Sequence, residues 1–261
     1  DADDLRRAIP AAAAGAEIDP SSLMPTLGRF VVERLEVAEP GVPAIRLAGL
    51  RLEFGRWIRA VPTSLTLALD HFVVPAGLAD AEGRRTLAGL GYDRIDLSAA
   101  ARLAWNEGTR EITVDGARLA IADAGALDLS ARLTGVPRAL FTRPDTAPLL
   151  LADIGLAEAR ATITDASFTT RLVKLLAEDE KKKPDRVRRR LADEIAGELS
   201  AVRDPARRRK VIAAIRRFLA APGTLRLEAR PAKPVPIVEI WGRTDDPIGL
   251  TERLDLSLSS E

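Results

Sequence analysis

The sequence predicts an α+β fold: a long, curled, mostly antiparallel β-sheet laid out as a meander, with an inserted helical hairpin packed on it. Three observations carry that expectation. Between Arg29 and Asp165 apolar and polar residues alternate with a period of two, the mark of strands with one buried and one wet face. From about 166 to 221 the period becomes 3.6, and beyond 221 the alternation returns. No long polar linker separates these stretches, so residues 29–261 read as a single domain behind a lead-in at 1–28.

The lead-in reads as flexible, because Pro10, Gly15, Pro20 and Pro25 break any long helix around Ala11–Ala14. Its acidic start (Asp1, Asp3, Asp4) has no signal-peptide pattern and fits a processed or shortened chain. Those three acids form a solvated terminus more readily than a weak cation site. Early strands are expected over Phe30–Val37 and Ile45–Phe54, with Ala48-Gly49 interrupting the second as a bulge would.

Leu65, Leu67 and Leu69 alternate with Thr66, Ala68 and Asp70. Residues 92–106 hold their alternation for about 15 residues, roughly 50 Å of strand, against the usual 5–6 residues. Asn106-Glu107-Gly108 and Asp123-Ala124-Gly125 mark hairpin turns, and Gly155–Asp165 is a further strand. So tall a sheet needs a cover, and the helices after Asp165 are the expected one.

Asp165-Ala166-Ser167 opens the first helix, with Phe168, Leu172, Val173, Leu175 and Leu176 inward. Lys181-Lys182-Lys183-Pro184 ends it. A second helix carries the narrow stripe Val187, Leu191, Ile195, Leu199, Val202. A third, from about Pro205 to Ala221, turns Val211, Ile212, Ile215, Phe218 and Leu219 inward. Thereafter Leu225–Ala229, Val235–Trp241 and Leu254–Leu258 read as strands, with a short helical turn from Asp246-Pro247 through Leu250. The prolines at 231, 234 and 236 restrict the second of these strands to an edge or a late start.

Composition excludes more chemistry than it suggests. Without cysteine there are no disulfides, thiolate zinc sites, iron–sulfur clusters or cysteine nucleophiles. His71 is the single histidine, and a lone strand histidine beside Asp70 is ordinarily a satisfied surface residue. No Gly-x-Ser-x-Gly, Gly-x-Gly-x-x-Gly or Walker pattern occurs. The 38 acids show no spacing that singles out a catalytic pair, and Trp57, Trp105 and Trp241 are scattered as packing residues are. No apolar run is long enough to span a membrane as a helix. A non-catalytic protein without cofactor or metal is the expectation.

The net charge of +1 hides a division. From Lys181 to Arg217 fourteen Lys and Arg face five acids, a local +9, and the remainder carries −8. Lys181, Lys182, Lys183, Arg186, Arg188, Arg189, Arg190, Arg207, Arg208, Arg209 and Lys210 are the candidate contacts for an anionic surface. The alternatives are a solvated face neutralised by acids elsewhere in the chain, and nucleic acid. The last is disfavoured because no aromatic residue interleaves the segment for base stacking.

The long amphipathic strands LGYDRIDLSAAARLAWNEGTREITVDGARLAIADAGALDLSARLTGV (90–136), the basic hairpin and APGTLRLEARPAKPVPI (221–237) together resemble bacterial envelope proteins of the AsmA-like and YdgA-like type. The resemblance covers about 29–165 and 221–260, rests on pattern and turn placement, and carries over no binding residue. It implies a periplasmic chain, or one anchored at the membrane and facing the periplasm, with a curved sheet associated with lipid movement. Leu97, Ala99, Ala101, Leu103, Leu129 and Ala131 are the candidate lining of an apolar-ligand trough. The same residues suit a filled core, the more ordinary outcome. A sheet edge or the basic hairpin docking an envelope protein is the alternative function.

Overall fold

The computed structural model describes residues 28–59, 61–199, 202, 204–242 and 247–261; the lead-in expected at 1–28 lies, but for Gly28, outside them. Among the described residues thirteen strands run β1 (Arg29–Val32), β2 (Leu35–Glu39), β3 (Val42–Phe54), β4 (Trp57–Ile58), β5 (Val61–Pro62), β6 (Ser64–Pro75), β7 (Arg94–Asn106), β8 (Glu111–Ile121), β9 (Gly125–Thr134), β10 (Gly155–Asp165), β11 (Thr224–Ala229), β12 (Val235–Pro236) and β13 (Leu256–Ser260). The helices are α1 (Ala81–Leu90), α2 (Ala139–Thr142), α3 (Ala147–Leu150), α4 (Phe168–Asp179), α5 (Pro184–Glu198), α6 (Pro205–Ala220), α7 (Ile237–Gly242) and α8 (Pro247–Arg253).

Eleven strands form one open antiparallel sheet in the order β1-β3-β6-β7-β8-β9-β10-β11-β13, with β2 added on β3 and β12 on β10. The α+β reading is therefore correct, and α4–α6 are the insertion between neighbouring strands β10 and β11. Both expected hairpin turns are present. Asn106 Oδ1 accepts from the Gly108 and Thr109 N–H groups at 2.9 and 3.2 Å, and Asp123 takes a left-handed φ of 62°.

The strands bend where one residue is added. β8 carries an extra residue at Gly116 (φ 60°), so its register shifts against both β7 and β9. β6 carries one at Asp70-His71, with His71 at φ 48°, which shifts Leu69↔Ala99 to Phe72↔Leu97. The break expected at Ala48-Gly49 lies opposite it. β3 changes its apolar parity there, from Ile45 and Leu47 to Leu50, Leu52 and Phe54, while its register with β6 is unchanged.

Three small cores hold the periphery. Ile58, Trp105, Val136, Phe141 and Ile154 form one at the turn between β7 and β8, where Trp105 and Phe141 rings lie 4.2 Å apart and Trp105 Nε1 donates to the Val136 carbonyl at 3.2 Å. Val173, Ala177 and Val187 join α4 to α5, and Ala229, Val235 and Leu254 lie beside β10 and β11.

Three expectations need correction. Residues 237–242 are helix α7 and not strand: β12 ends after two residues, with Val235 and Pro236 opposite Leu156 and Gly155. Ile237 N–H still donates to the Ile154 carbonyl at 2.9 Å, and the chain turns into helix directly after it. Helix α1 interrupts what reads as a pure meander; Asp80 caps it by accepting from Gly83 N–H at 2.7 Å, and Gly91 ends it at φ 74°. Finally, the inserted helices do not roof the sheet. They lie along its β13 edge through α6 and along one end of the strands through α4, leaving the middle of the apolar face open.

Candidate functional site

The alternation that forms the strands also sorts them into faces, and the register aligns the apolar positions in rows. One row runs Leu50, Leu69, Ala99, Leu119, Leu127, Ile163, Leu225 from β3 to β11. The next runs Leu52, Leu67, Ala101 on β3, β6 and β7, resumes at Ala117 on β8, and continues through Leu129, Ala161, Leu227 and Leu258 to β13. A third contains Phe54, Leu65, Leu103, Val114, Ala131, Ala159, Ala229 and Leu256. All six trough candidates (Leu97, Ala99, Ala101, Leu103, Leu129 and Ala131) thus share this face.

It is not a filled core. Within these rows only Ala229 is fully buried, and Leu119, Leu127, Leu129, Ile163 and Leu227 on four adjacent inner strands are 37–44% exposed. Large side chains on central strands are ordinarily covered, because burying each contributes about 1.5–3 kcal/mol. A contiguous exposed patch of this kind marks a binding surface.

At one end the patch runs into a cleft of about 460 Å³, lined by Leu119, Ile121, Leu127, Ile163, Phe168 and Phe218 together with the β8–β9 turn. Phe168 is placed by the start of α4: Asp165 Oδ1 accepts from Thr169 N–H at 2.8 Å, and Ser167 Oγ donates to the Asp123 carbonyl. Phe218 comes from α6, which is fastened to β13 by Arg217 donating to the Ser260 carbonyl at 3.1 Å. Asp165 also accepts from Thr169 Oγ1, so the polar atoms at the rim are occupied by one another. The cleft offers shape and apolar surface, with the Asp165 carboxylate at its rim.

The opposite face is ionic. Arg118–Asp128 (2.7 Å), Arg132–Glu111 (3.0 Å), Arg160–Glu158 (2.7 Å) and Arg226–Glu261 (2.5 Å) pair on it. His71 Nδ1 bonds Asp96 at 3.0 Å on an exposed bulge. Trp105 is core, Trp57 packs on Phe54, and Trp241 is 61% exposed on α7.

The basic residues divide into two groups. Lys182 and Arg190 converge on Glu180 at 2.9 and 2.6 Å; Lys182 first, then Arg190, hold that carboxyl below its usual range. Arg190 also meets Glu194, Arg188 pairs with Asp185, Arg207 bonds Asp255, and Arg208 is engaged as well. Lys181, Lys183, Arg186, Arg189, Arg209 and Lys210 are exposed and make no ion pair with another described residue. Arg186 and Arg189 line one groove with Lys182 and Arg190 on α5.

Sequence reasoning placed Phe168 and Phe218 inward and gave neither a role in the site. It missed Arg171, which donates to the Leu90 and Gly91 carbonyls at 3.0 and 2.7 Å and stacks on Tyr92, tying α4 to α1. Only a three-dimensional neighbour could have signalled it.

A family model described as "Uncharacterized protein" matches residues 118–261, from β8 to the last residue of the chain. The chain belongs to that family. No curated protein and no solved structure matches it. The family segment contains the whole exposed patch, both phenylalanines of the cleft and the basic helices, whereas β1–β7 lie outside it. Among the described residues no helix is long and apolar enough to cross a membrane, and no acid–histidine cluster of metal-binding type occurs.

Proposed function

We propose that the protein is a non-catalytic binder of lipid or another apolar molecule, which lies along the open apolar rows with one end under Phe168 and Phe218. The observation that carries this reading is the exposure of Leu119, Leu127, Leu129, Ile163 and Leu227 on adjacent inner strands, continuous with an apolar cleft. Alanines at 99, 101, 117, 131, 159 and 161 lower the floor of this surface and leave room for a chain. The bacterial envelope, facing the periplasm, is the location that the AsmA-like resemblance supports.

Native mass spectrometry of gently purified protein, followed by denaturing extraction, tests the reading. A stoichiometric adduct that resolves to lipid supports it. A clean apo mass, with no uptake of a fluorescent fatty acid, overturns it. The second reading is a docking module, favoured by edge strand β2, where Leu35 and Val37 are 49% and 52% exposed.

A further inference from the structure

We infer that the outward basic strip of α5 and α6 is a docking surface for an anionic lipid bilayer, separate from the apolar face that the proposed function uses. A basic segment neutralised by the rest of its own chain needs no partner, and among the described residues the ion pair that does this is Arg207 with Asp255. Four acids of the sheet are taken by arginines of the sheet: Asp128 by Arg118, Glu111 by Arg132, Glu158 by Arg160 and Glu261 by Arg226. Within the insertion, Glu180, Asp185, Asp193 and Glu194 are taken by Lys182, Arg188, Arg190 and Arg216. Six exposed cations, at 181, 183, 186, 189, 209 and 210, form no ion pair with another described residue.

The form of the surplus favours a bilayer over a nucleic acid. Residues 181–217 hold no aromatic side chain on which a base stacks. Asp185, Asp193 and Glu194, interspersed on α5 and paired with arginines of the insertion, interrupt the cationic run that a phosphate chain follows along a groove. A diffuse charged plane tolerates both features, since it needs only cations near its surface.

Sedimentation with vesicles of equimolar phosphatidylglycerol and phosphatidylcholine, against vesicles of phosphatidylcholine alone, tests the docking with the whole chain. Each juxtaposed cation multiplies partitioning by about five at low salt. Arg186→Gln with Arg189→Gln therefore weakens binding to the anionic vesicles about 25-fold and leaves the unfolding midpoint unchanged. Arg118→Gln with Arg160→Gln removes the same charge from the sheet and leaves vesicle binding within about twofold. Equal binding to both vesicle types, or a double α5 variant that binds like the parent, overturns the inference. So does a DNA duplex that binds more tightly than the anionic vesicles at the same ionic strength. The readout does not depend on whether the apolar face carries a ligand, so this surface and that reading stand or fall separately.

Discussion

Replacing Leu129 by alanine separates an open apolar face from a covered one. Leu129 sits on inner strand β9 between Ala117 of β8 and Ala161 of β10 and is 40% exposed. Full burial of a leucine side chain contributes about 1.5–3 kcal/mol, so the part removed from water here contributes about 1–2 kcal/mol. That figure is an upper one, because a backbone hydrogen-bonded on both sides accounts for little of the residue's exposure. Truncation opens no closed cavity, so no cavity cost is added. Phe141, 4% exposed against Trp105, supplies the contrast: its truncation costs about 3–5 kcal/mol. Urea unfolding of both variants at equal slope reads the difference. If Leu129→Ala costs as much as Phe141→Ala, something covers the face in solution, and the argument from exposure fails. A second copy as that cover would make the loss depend on protein concentration.

The remaining predictions concern the cleft, a turn and a helix cap. Phe168→Ala and Phe218→Ala each weaken binding of a fluorescent fatty acid roughly tenfold, read by titration, because each removes most of an aromatic wall. Gly135→Ala destabilises by more than the roughly 1–2 kcal/mol of a left-handed residue, since its φ is 78° and the new Cβ would lie 2.2 Å from the Asp153 carbonyl oxygen; an unchanged urea midpoint would contradict this. Asp204 caps α6; the N–H groups of Arg207 and then Ala206 hold its carboxyl below the usual 3.8. A depressed carboxylate stabilises above its unfolded value and loses that contribution as pH falls through the lowered one. Acidification below about pH 4 therefore weakens α6, and Asp204→Asn, which keeps the cap without titrating, removes that acid-side slope in far-ultraviolet dichroism.

The sheet was legible because period-two alternation is a local signal and survives on either side of each bulge in its long strands. Gly155–Asp165 was delimited to the residue, and the turn expected at Asp123–Gly125 falls one residue earlier, at 122–124. Helix α1 was not, because its cap Asp80 and stop Gly91 flank an apolar stripe reduced to Leu87 and Leu90. The strand reading at 237–241 failed for the opposite reason: IVEIW suits either state, and the pairing at Pro236 decides it. The site was half visible. Alternation assigns Leu129 and Ala131 to one face, but no pattern in the chain says whether a helix comes to rest on that face. That depends on where α4 and α6 land, hence on Arg171 reaching the end of α1 and Arg217 reaching Ser260. The basic run was legible as charge, but which cations are surplus is a matter of pairing distances.

The long insertion between β10 and β11 sets an order of assembly. The β7–β8 and β8–β9 pairs close turns of a few residues, so they zip quickly and in sequence. The β10–β11 pair closes a loop covering residues 166–223, an entropy cost roughly 2 kcal/mol above that of a four-residue turn. It is also short, six residues against ten for β9–β10. The bonds of α6 through Arg207 to Asp255 and through Arg217 to Ser260 lead to the β13 segment, not to the older part of the sheet. β11, β13 and α6 thus form a late-closing body, joined to the earlier strands by the β10–β11 pair and to α5 by Arg216 and Asp193 at 3.0 Å. Phe218 rides on that body. The wall of the cleft that carries Phe218 thus closes after β3–β10 are paired.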